Sequence, residues 1–167
     1  MARHIGIVAC SAEGAALCYL TISTEAAARM GRHNHPEVSM HTHPLARYMA
    51  SIERGDWQAV ADLMLDSARR LAAIGAEFLI SPDNTIHQTM PLVAPRSPLP
   101  WLHIADETIA AARAGGYRRL AVLGCTEIPL LVDPAAAPLP VLDSTRLPAR
   151  AALREAMGGT ASVPNLG

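Results

Sequence analysis

Aromatic side chains are scarce in this sequence of 167 residues, at 4% of the total, although half of the residues are hydrophobic. We therefore expect an aliphatic, helix-rich core in which Ala and Leu dominate. No apolar run reaches the roughly 18 residues of a membrane-spanning helix. The N-terminal apolar stretch is interrupted, which predicts a first strand and helix and not a signal peptide.

The chain also lacks an excess of charge of one sign. Fourteen basic residues stand against fifteen acidic ones, for a formal net charge of -1. A nucleic-acid or polyphosphate partner would require a basic patch, and no block of charge is present, so neither partner is expected. The only cysteines are Cys10, Cys18 and Cys125. Their odd number and their spacing match neither a disulfide framework nor a zinc motif, which favours a cytoplasmic protein.

Nucleotide-binding motifs of the GxGxxG and P-loop kinds are absent, so no nucleotide cofactor is indicated. His41 and His43 lie two residues apart on a predicted extended segment and would share one face. They could bind a metal, but zinc sites use three or four ligands and no third ligand follows at a diagnostic spacing. A polar strand end that lines a pocket is the preferred interpretation, and no metal is predicted.

The order of the predicted elements indicates the fold class. Helical periodicity, caps and glycine stops alternate with short apolar runs typical of buried strands. Strands are predicted at 4–10, 36–42, 77–81, 101–105 and 118–124, and helices at about 13–31, 57–75, 85–93, 105–115 and 146–157. Such alternation predicts an α/β fold with a parallel sheet and helices on both faces. We expect one domain over residues 1–157, a loop over 133–143 and a flexible tail over 158–167.

In such sheets ligands bind beyond the carboxyl ends of the strands. Three predicted strand ends carry reactive or polar side chains: Cys10–Ser11, Asp83–Asn84–Thr85 and Cys125–Thr126. Cys125 is either a small buried hydrophobe or a thiol activated by free backbone N–H groups of its turn. The second segment is either an Asx turn that leads into a helix or a substrate-binding turn. In the latter case Asp83 is an acid/base group and His87 supports it.

Two segments, PDNTIHQ and LGCTEIPLL, resemble the signature turns of the aspartate/glutamate racemase family. That family typically shows a Cys-Asn-Thr-x-His turn and a Gly-Cys-Thr-Glu turn. Residues 124–127 match the second turn fully. In the first turn Asn84, Thr85 and His87 match, and Asp83 stands where Cys is usual.

The resemblance implies a flavodoxin-like lobe and racemisation at Cα without pyridoxal phosphate or a metal. Cys125 and Asp83 would form the acid/base pair that serves the two faces of the substrate carbon. The predicted carboxylate-binding residues are Ser11, Asn84, Thr85 and Thr126, and the predicted supporting residues are His87 and Glu127. Two alternatives stay open. One is a decarboxylase or cis–trans isomerase of a small dicarboxylic acid that uses Cys125 alone, and the other is an inactive carboxylate-binding relative.

Members of this family usually have two similar lobes with the site between them. Here the second signature follows the predicted strand at 118–124 at once, where several tens of residues are usual. We therefore expect a reduced second lobe, with residues 95–124 as its candidate remnant. A homodimer would cover the apolar surface that the missing part leaves exposed.

Overall fold

The structure is a computed structural model that describes residues 1–124 and 137–159. The strands in these ranges are β1 (Ile5–Ala9), β2 (Val38–Thr42), β3 (Phe78–Ile80), β4 (Ala121–Leu123) and β5 (Val141–Asp143). The helices are α1 (Ala12–Glu25), α2 (Ala27–Met30), α3 (Leu45–Glu53), α4 (Trp57–Ala73), α5 (Met90–Val93), α6 (Ile104–Ala114) and α7 (Arg146–Ala156). Short 3-10 turns cover Thr85–Thr89 and Ala94–Arg96.

Parallel pairing governs both sheets. The first sheet has the order β2-β1-β3, and β4 pairs with β5 in a second sheet. The predicted α/β class with parallel strands is therefore confirmed, although the described strands form two sheets and not one. Within the described residues, no helix is both long and apolar enough to cross a membrane.

Helices cover both faces of β1, which is buried along its whole length. Ile5 and Ile7 pack with residues of α1 and α7, whereas Val8 packs on the opposite face with residues of α4. Successive side chains of a strand point to opposite faces, so an apolar run such as IGIVA suits a strand that is covered on both sides. Because β1 and β3 run parallel, their carboxyl ends lie at the same edge of the sheet.

Two local predictions differ from the structure, and one helix was not predicted. The strand predicted at 101–105 is wrong, because Trp101 forms only an isolated bridge with Leu79 and α6 begins at Ile104. The predicted loop at 133–143 contains β5, which pairs with β4 in the described part of that segment. The helix α3 was not predicted, although it lies at the edge where the strands end. Of the predicted flexible tail, residues 160–167 lie outside the described ranges.

Candidate active site at the strand ends

A cavity of about 380 Å³ opens at the carboxyl ends of β1, β3 and β4. Its volume falls within the range of about 300–1,000 Å³ that is usual for small-molecule sites. The cavity is lined by Cys10, Ser11, Leu45, Met49, Ile52, Asp83, Asn84, Thr85, Ile86 and Gly124. Four predicted site residues, Ser11, Asp83, Asn84 and Thr85, therefore lie around one space.

The Asp83 carboxylate ties the end of β3 to the turn after β1. Its Oδ2 accepts a hydrogen bond from the Cys10 amide at 3.1 Å, and its Oδ1 accepts one from the Ser11 amide at 3.2 Å. The Ser11 hydroxyl also donates to Oδ1. The residue is only 9% exposed. Asp83 thus combines the anchoring role of a turn residue with a position on the cavity wall.

Burial raises the pKa of Asp83 above its ordinary value. Hydrogen bonds from the Ser11 hydroxyl and from the Cys10 and Ser11 amides oppose that shift, and the nearby Glu13 charge adds to it. An ordinary aspartate is a weak base, and removal from water is what strengthens it. The environment of Asp83 supplies this desolvation.

Asn84 joins the two sheets at their carboxyl ends. Its Nδ2 donates to the Gly124 carbonyl at 2.6 Å and to the Ser144 hydroxyl at 2.8 Å. Ser144 in turn donates to the Leu123 carbonyl at 2.7 Å. Because a carbonyl oxygen can only accept, the side-chain nitrogen of Asn84 must face Gly124. Both amide hydrogens therefore have protein partners, and binding of a substrate carboxylate by Asn84 stays a prediction.

The two cysteines in the described residues are unsuited to act as thiolates. Cys10 lines the cavity, and burial followed by the charge of Asp83 raises the pKa of its thiol to about 12. Cys18 is fully buried between α1 and the sheet, and burial raises the pKa of that thiol further. Since thiolates and not thiols are the reactive form, neither residue is a strong base at neutral pH.

His87 is buried behind the Asp83 turn. Its Nε2 lies 3.1 Å from the Ser81 carbonyl and must carry the hydrogen, because that carbonyl can only accept. Its Nδ1 is buried and has no hydrogen-bond partner in the described part of the chain. Burial lowers the pKa of His87 to about 4, so the ring is neutral at neutral pH. His103, predicted to be a surface or loop residue, caps α6 by accepting a hydrogen bond from the Ala105 amide. Its ring meets the His87 ring edge-on, with the ring centroids 4.6 Å apart.

His41 and His43 lie away from this cavity. Their rings are 4.9 Å apart, as their predicted common face requires. His41 Nδ1 is hydrogen-bonded to the Ser67 hydroxyl at 2.9 Å, and His43 Nε2 lies 3.0 Å from Asp66 Oδ2. His43 and Asp66 line a second cavity of about 330 Å³. Over residues 1–124 and 137–159, no group of three or more His, Cys, Asp or Glu side chains is arranged to hold a metal.

Cys125, Thr126 and Glu127 lie outside the described residues. Gly124, which is bonded directly to Cys125, lines the cavity and accepts the hydrogen bond from Asn84. Thr85 is exposed at the cavity rim, at the start of its 3-10 turn.

The cavity also has an apolar wall, which was not predicted from the sequence. Leu45, Met49 and Ile52 of α3 line it. Their spacing of four and then three residues places them on one helix face. This spacing was the feature of the sequence from which an apolar helix face at this position could have been predicted.

Solved structures with a similar fold include two racemase-related proteins and a mutant decarboxylase. A protein of Yersinia pestis described as a candidate Asp/Glu racemase matches with a TM-score of 0.84 at 21% identity, over 93% of this chain and 99% of its own. An aspartate racemase homologue from Pyrococcus horikoshii OT3 matches with a TM-score of 0.83 at 16% identity, over 94% and 100%. A Gly-to-Cys mutant of arylmalonate decarboxylase matches with a TM-score of 0.60 at 17% identity, over 96% of each chain. Because the sequence identities are only 16–21%, this structural likeness shows a shared fold and no more.

The sequence itself carries the family assignment. Residues 5–123 match the Asp/Glu/hydantoin racemase family, a range that includes the Asp83 turn and ends before Cys125. This range covers well over half of the chain. The protein therefore belongs to the Asp/Glu/hydantoin racemase family.

Proposed function

We propose that this protein is a racemase or related isomerase that transfers a proton at the carbon next to a carboxylate. Cys125 and Asp83 are the two acid/base groups of the proposal. The observation that carries it is the convergence of Ser11, Asp83, Asn84, Thr85 and Gly124 on one cavity, with Gly124 bonded to Cys125. Family membership supports the same class of reaction.

The proposed reaction needs one base and one acid on opposite faces of the substrate carbon. The base takes the proton from Cα, and the electron pair of the broken C–H bond moves into the adjacent carboxylate. The acid then returns a proton to the other face. The raised pKa of Asp83 supports both of its roles, because the carboxyl holds its proton to higher pH and the carboxylate is a stronger base.

Stabilisation of the enolate-like state calls for hydrogen-bond donors that are already in place. Thr85 lines the cavity and carries a hydroxyl group, whereas the Ser11 hydroxyl would donate to the substrate only by releasing its hydrogen bond to Asp83. Thr126 is the predicted third hydroxyl. Asn84 would join them only by exchanging one of its present partners, Gly124 or Ser144, for the substrate.

Independence from pyridoxal phosphate is part of the proposal. Enzymes that use this cofactor hold it as a Schiff base with a lysine. The fourteen basic residues of this sequence are all arginines, so the sequence offers no lysine for that bond.

Exchange of the Cα hydrogen tests the proposed function directly. The protein is incubated in deuterated water with single amino acids, and deuterium at Cα is followed by NMR or mass spectrometry. We expect incorporation by the wild type that is reduced in Cys125→Ala, which keeps only the proposed Asp83 base. Cys18→Ala, which removes a buried thiol outside the cavity, should retain it. Absence of exchange with every amino acid, or equal exchange in Cys125→Ala, would contradict the proposal.

A second candidate is a decarboxylase or cis–trans isomerase of a small dicarboxylic acid that uses Cys125 alone. It is favoured by the hydrogen bonds that already engage both oxygens of Asp83, because an anchoring carboxylate need not take part in chemistry. This reading predicts that Asp83→Asn keeps most of the activity and that Cys125→Ala loses it. If a carboxylate raised the melting temperature without any turnover, a catalytically inactive binding role would be favoured over both.

A further inference from the structure

The cavity has one polar side and one apolar side. The polar side comes from the strand ends, with Ser11, Asp83 and Thr85. The apolar side comes from α3, where Leu45, Met49 and Ile52 face the same space. Tyr48 and Ser51, on the adjoining side of this helix, are buried, and Ile52 packs partly against the core. On the cavity face 46% of Leu45 and 41% of Met49 are exposed, so these two side chains are free to contact a bound molecule.

No cationic side chain lines the cavity. The sequence has fourteen arginines and no lysine, and every arginine falls within residues 1–124 or 137–159. None of these arginines, and none of the seven histidines, is among the residues that form the cavity wall. The arginine of α3 itself, Arg47, bonds His43 at 3.1 Å and lines the second cavity.

This arrangement discriminates between substrate side chains. Aspartate and glutamate carry a second carboxylate, which would lose water against aliphatic groups without a cationic partner. A buried unpaired charge is strongly unfavourable, and Asp83 in its ionised form would repel it further. An apolar side chain in the same place would bury apolar surface against α3, which is favourable.

We propose that the substrate carries an uncharged apolar group on its reacting carbon and that the α3 face of Leu45, Met49 and Ile52 receives it. The inference rests on the proposed function, since it concerns the substrate of the same site. Such a substrate differs from aspartate and glutamate, the acidic amino acids in the family's name. Met49 lies at the middle of this face and is the residue that most directly determines the preference.

The test compares substrates in the exchange experiment with the full chain. We expect leucine, methionine or phenylalanine to exchange at least about 100-fold faster, in kcat/KM, than aspartate or glutamate, in line with known discrimination between side chains. Met49→Arg places a cation on the α3 face and should narrow or reverse that ratio. Met40→Arg is the matched control, because Met40 is an exposed methionine of β2 outside the cavity. It should leave the ratio unchanged.

The outcomes separate the two proposals. Faster exchange with aspartate or glutamate would overturn this inference and leave the proposed function standing. An unchanged ratio in Met49→Arg would also overturn it. Absence of exchange with all substrates would refute the proposed function, and binding would then decide the inference through NMR titration with 4-methylpentanoate and with succinate. Tighter binding of 4-methylpentanoate, lost in Met49→Arg, supports the inference, and tighter binding of succinate or no binding of either overturns it.

Discussion

Asp83 is held by three donors in a setting with little water, and these two influences act on its proton in opposite directions. Burial is the larger one and raises the pKa of the carboxyl above 3.8, whereas the Ser11 hydroxyl and two amides lower it. A folded-state pKa above the unfolded value favours the folded protein at low pH. This contribution is lost as the pH rises through the folded pKa. Asp83 therefore weakens the fold slightly at neutral pH in exchange for a more basic carboxylate.

Titration of the Asp83 side chain by ¹³C NMR checks this balance. We expect a pKa above 3.8 in the wild type. Ser11→Ala should raise the pKa further, because it removes a donor to the ionised form. Asp66, whose pKa is lowered by its hydrogen bond from Arg70, lines the second cavity and serves as the internal reference, because its pKa should be the same in both proteins. A pKa of Asp83 below 3.8, or one that falls in Ser11→Ala, would contradict the description of the site.

His87 makes a second prediction at the residue scale. Burial lowers its pKa from 6.5 to about 4, so the unfolded chain takes up a proton at a higher pH than the folded one. Stability should therefore fall as the pH drops from 6.5 to about 4, by roughly 3 kcal/mol from this residue. His87→Gln keeps a donor for the Ser81 carbonyl and removes the titration. Urea unfolding across this range should show a shallower pH dependence in His87→Gln, and identical dependence in both proteins would disprove the assignment.

At the scale of elements, the connection between the two sheets depends on the side chain of Asn84. Asn84→Ala removes two hydrogen bonds, worth roughly 1–3 kcal/mol together. The loss should affect mainly the β4–β5 sheet, because Gly124 and Ser144 are the partners. Amide hydrogen exchange should accelerate at Ala121 and Ser144, whose amides donate within the β4–β5 sheet. It should accelerate less at Ile5, whose amide donates to the Glu37 carbonyl in the other sheet region. Gln88→Ala, at an exposed position of the 3-10 turn that follows Asn84, is the control. Uniform acceleration along the chain would show that Asn84 has no such local role.

How far the elements could be predicted depended on how local their signals are. The strand β1 is a continuous apolar run, and α4 is capped by Asp56, whose side chain accepts a hydrogen bond from the Ala59 amide at 3.0 Å. Both were predicted because the signal lies within the element. The strand β5 has only three residues after a proline-rich stretch, and it forms because β4 supplies its partner. The helix α3 follows Pro44 directly and carries no side-chain cap, so its start had no recognisable signal.

The same distinction applies to the site. Ser11, Asp83, Asn84 and Thr85 could be placed together in advance because parallel strands bring their carboxyl ends to one edge. The hydrogen bonds that engage Asp83 and Asn84 could not be predicted, since they depend on distances between segments far apart in sequence. The apolar wall from Leu45, Met49 and Ile52 was missed together with its helix.

At the scale of the whole molecule, the match over residues 5–123 places this chain in its family, and the cavity lies at the carboxyl ends of parallel strands, where such folds bind ligands. The reduced second lobe, the homodimer and the cytoplasmic location stay predictions. Sedimentation analysis would settle the assembly state. A dimer matters for the mechanism because a second copy seated over the strand ends would exclude water from the cavity.

The central claim is that Asp83 and Cys125 serve opposite faces of one substrate carbon. Deuterium incorporation at Cα, followed separately for the two enantiomers of the best amino-acid substrate, tests it most directly. The wild type should exchange both enantiomers. In Cys125→Ala the exchange rate of one enantiomer should fall by about 10²–10⁴-fold, the range for a single acid/base group. In Asp83→Asn the rate of the other enantiomer should fall by a similar factor. If Asp83→Asn exchanged both enantiomers at the wild-type rate, with its fold intact by circular dichroism, the two-base account would be wrong.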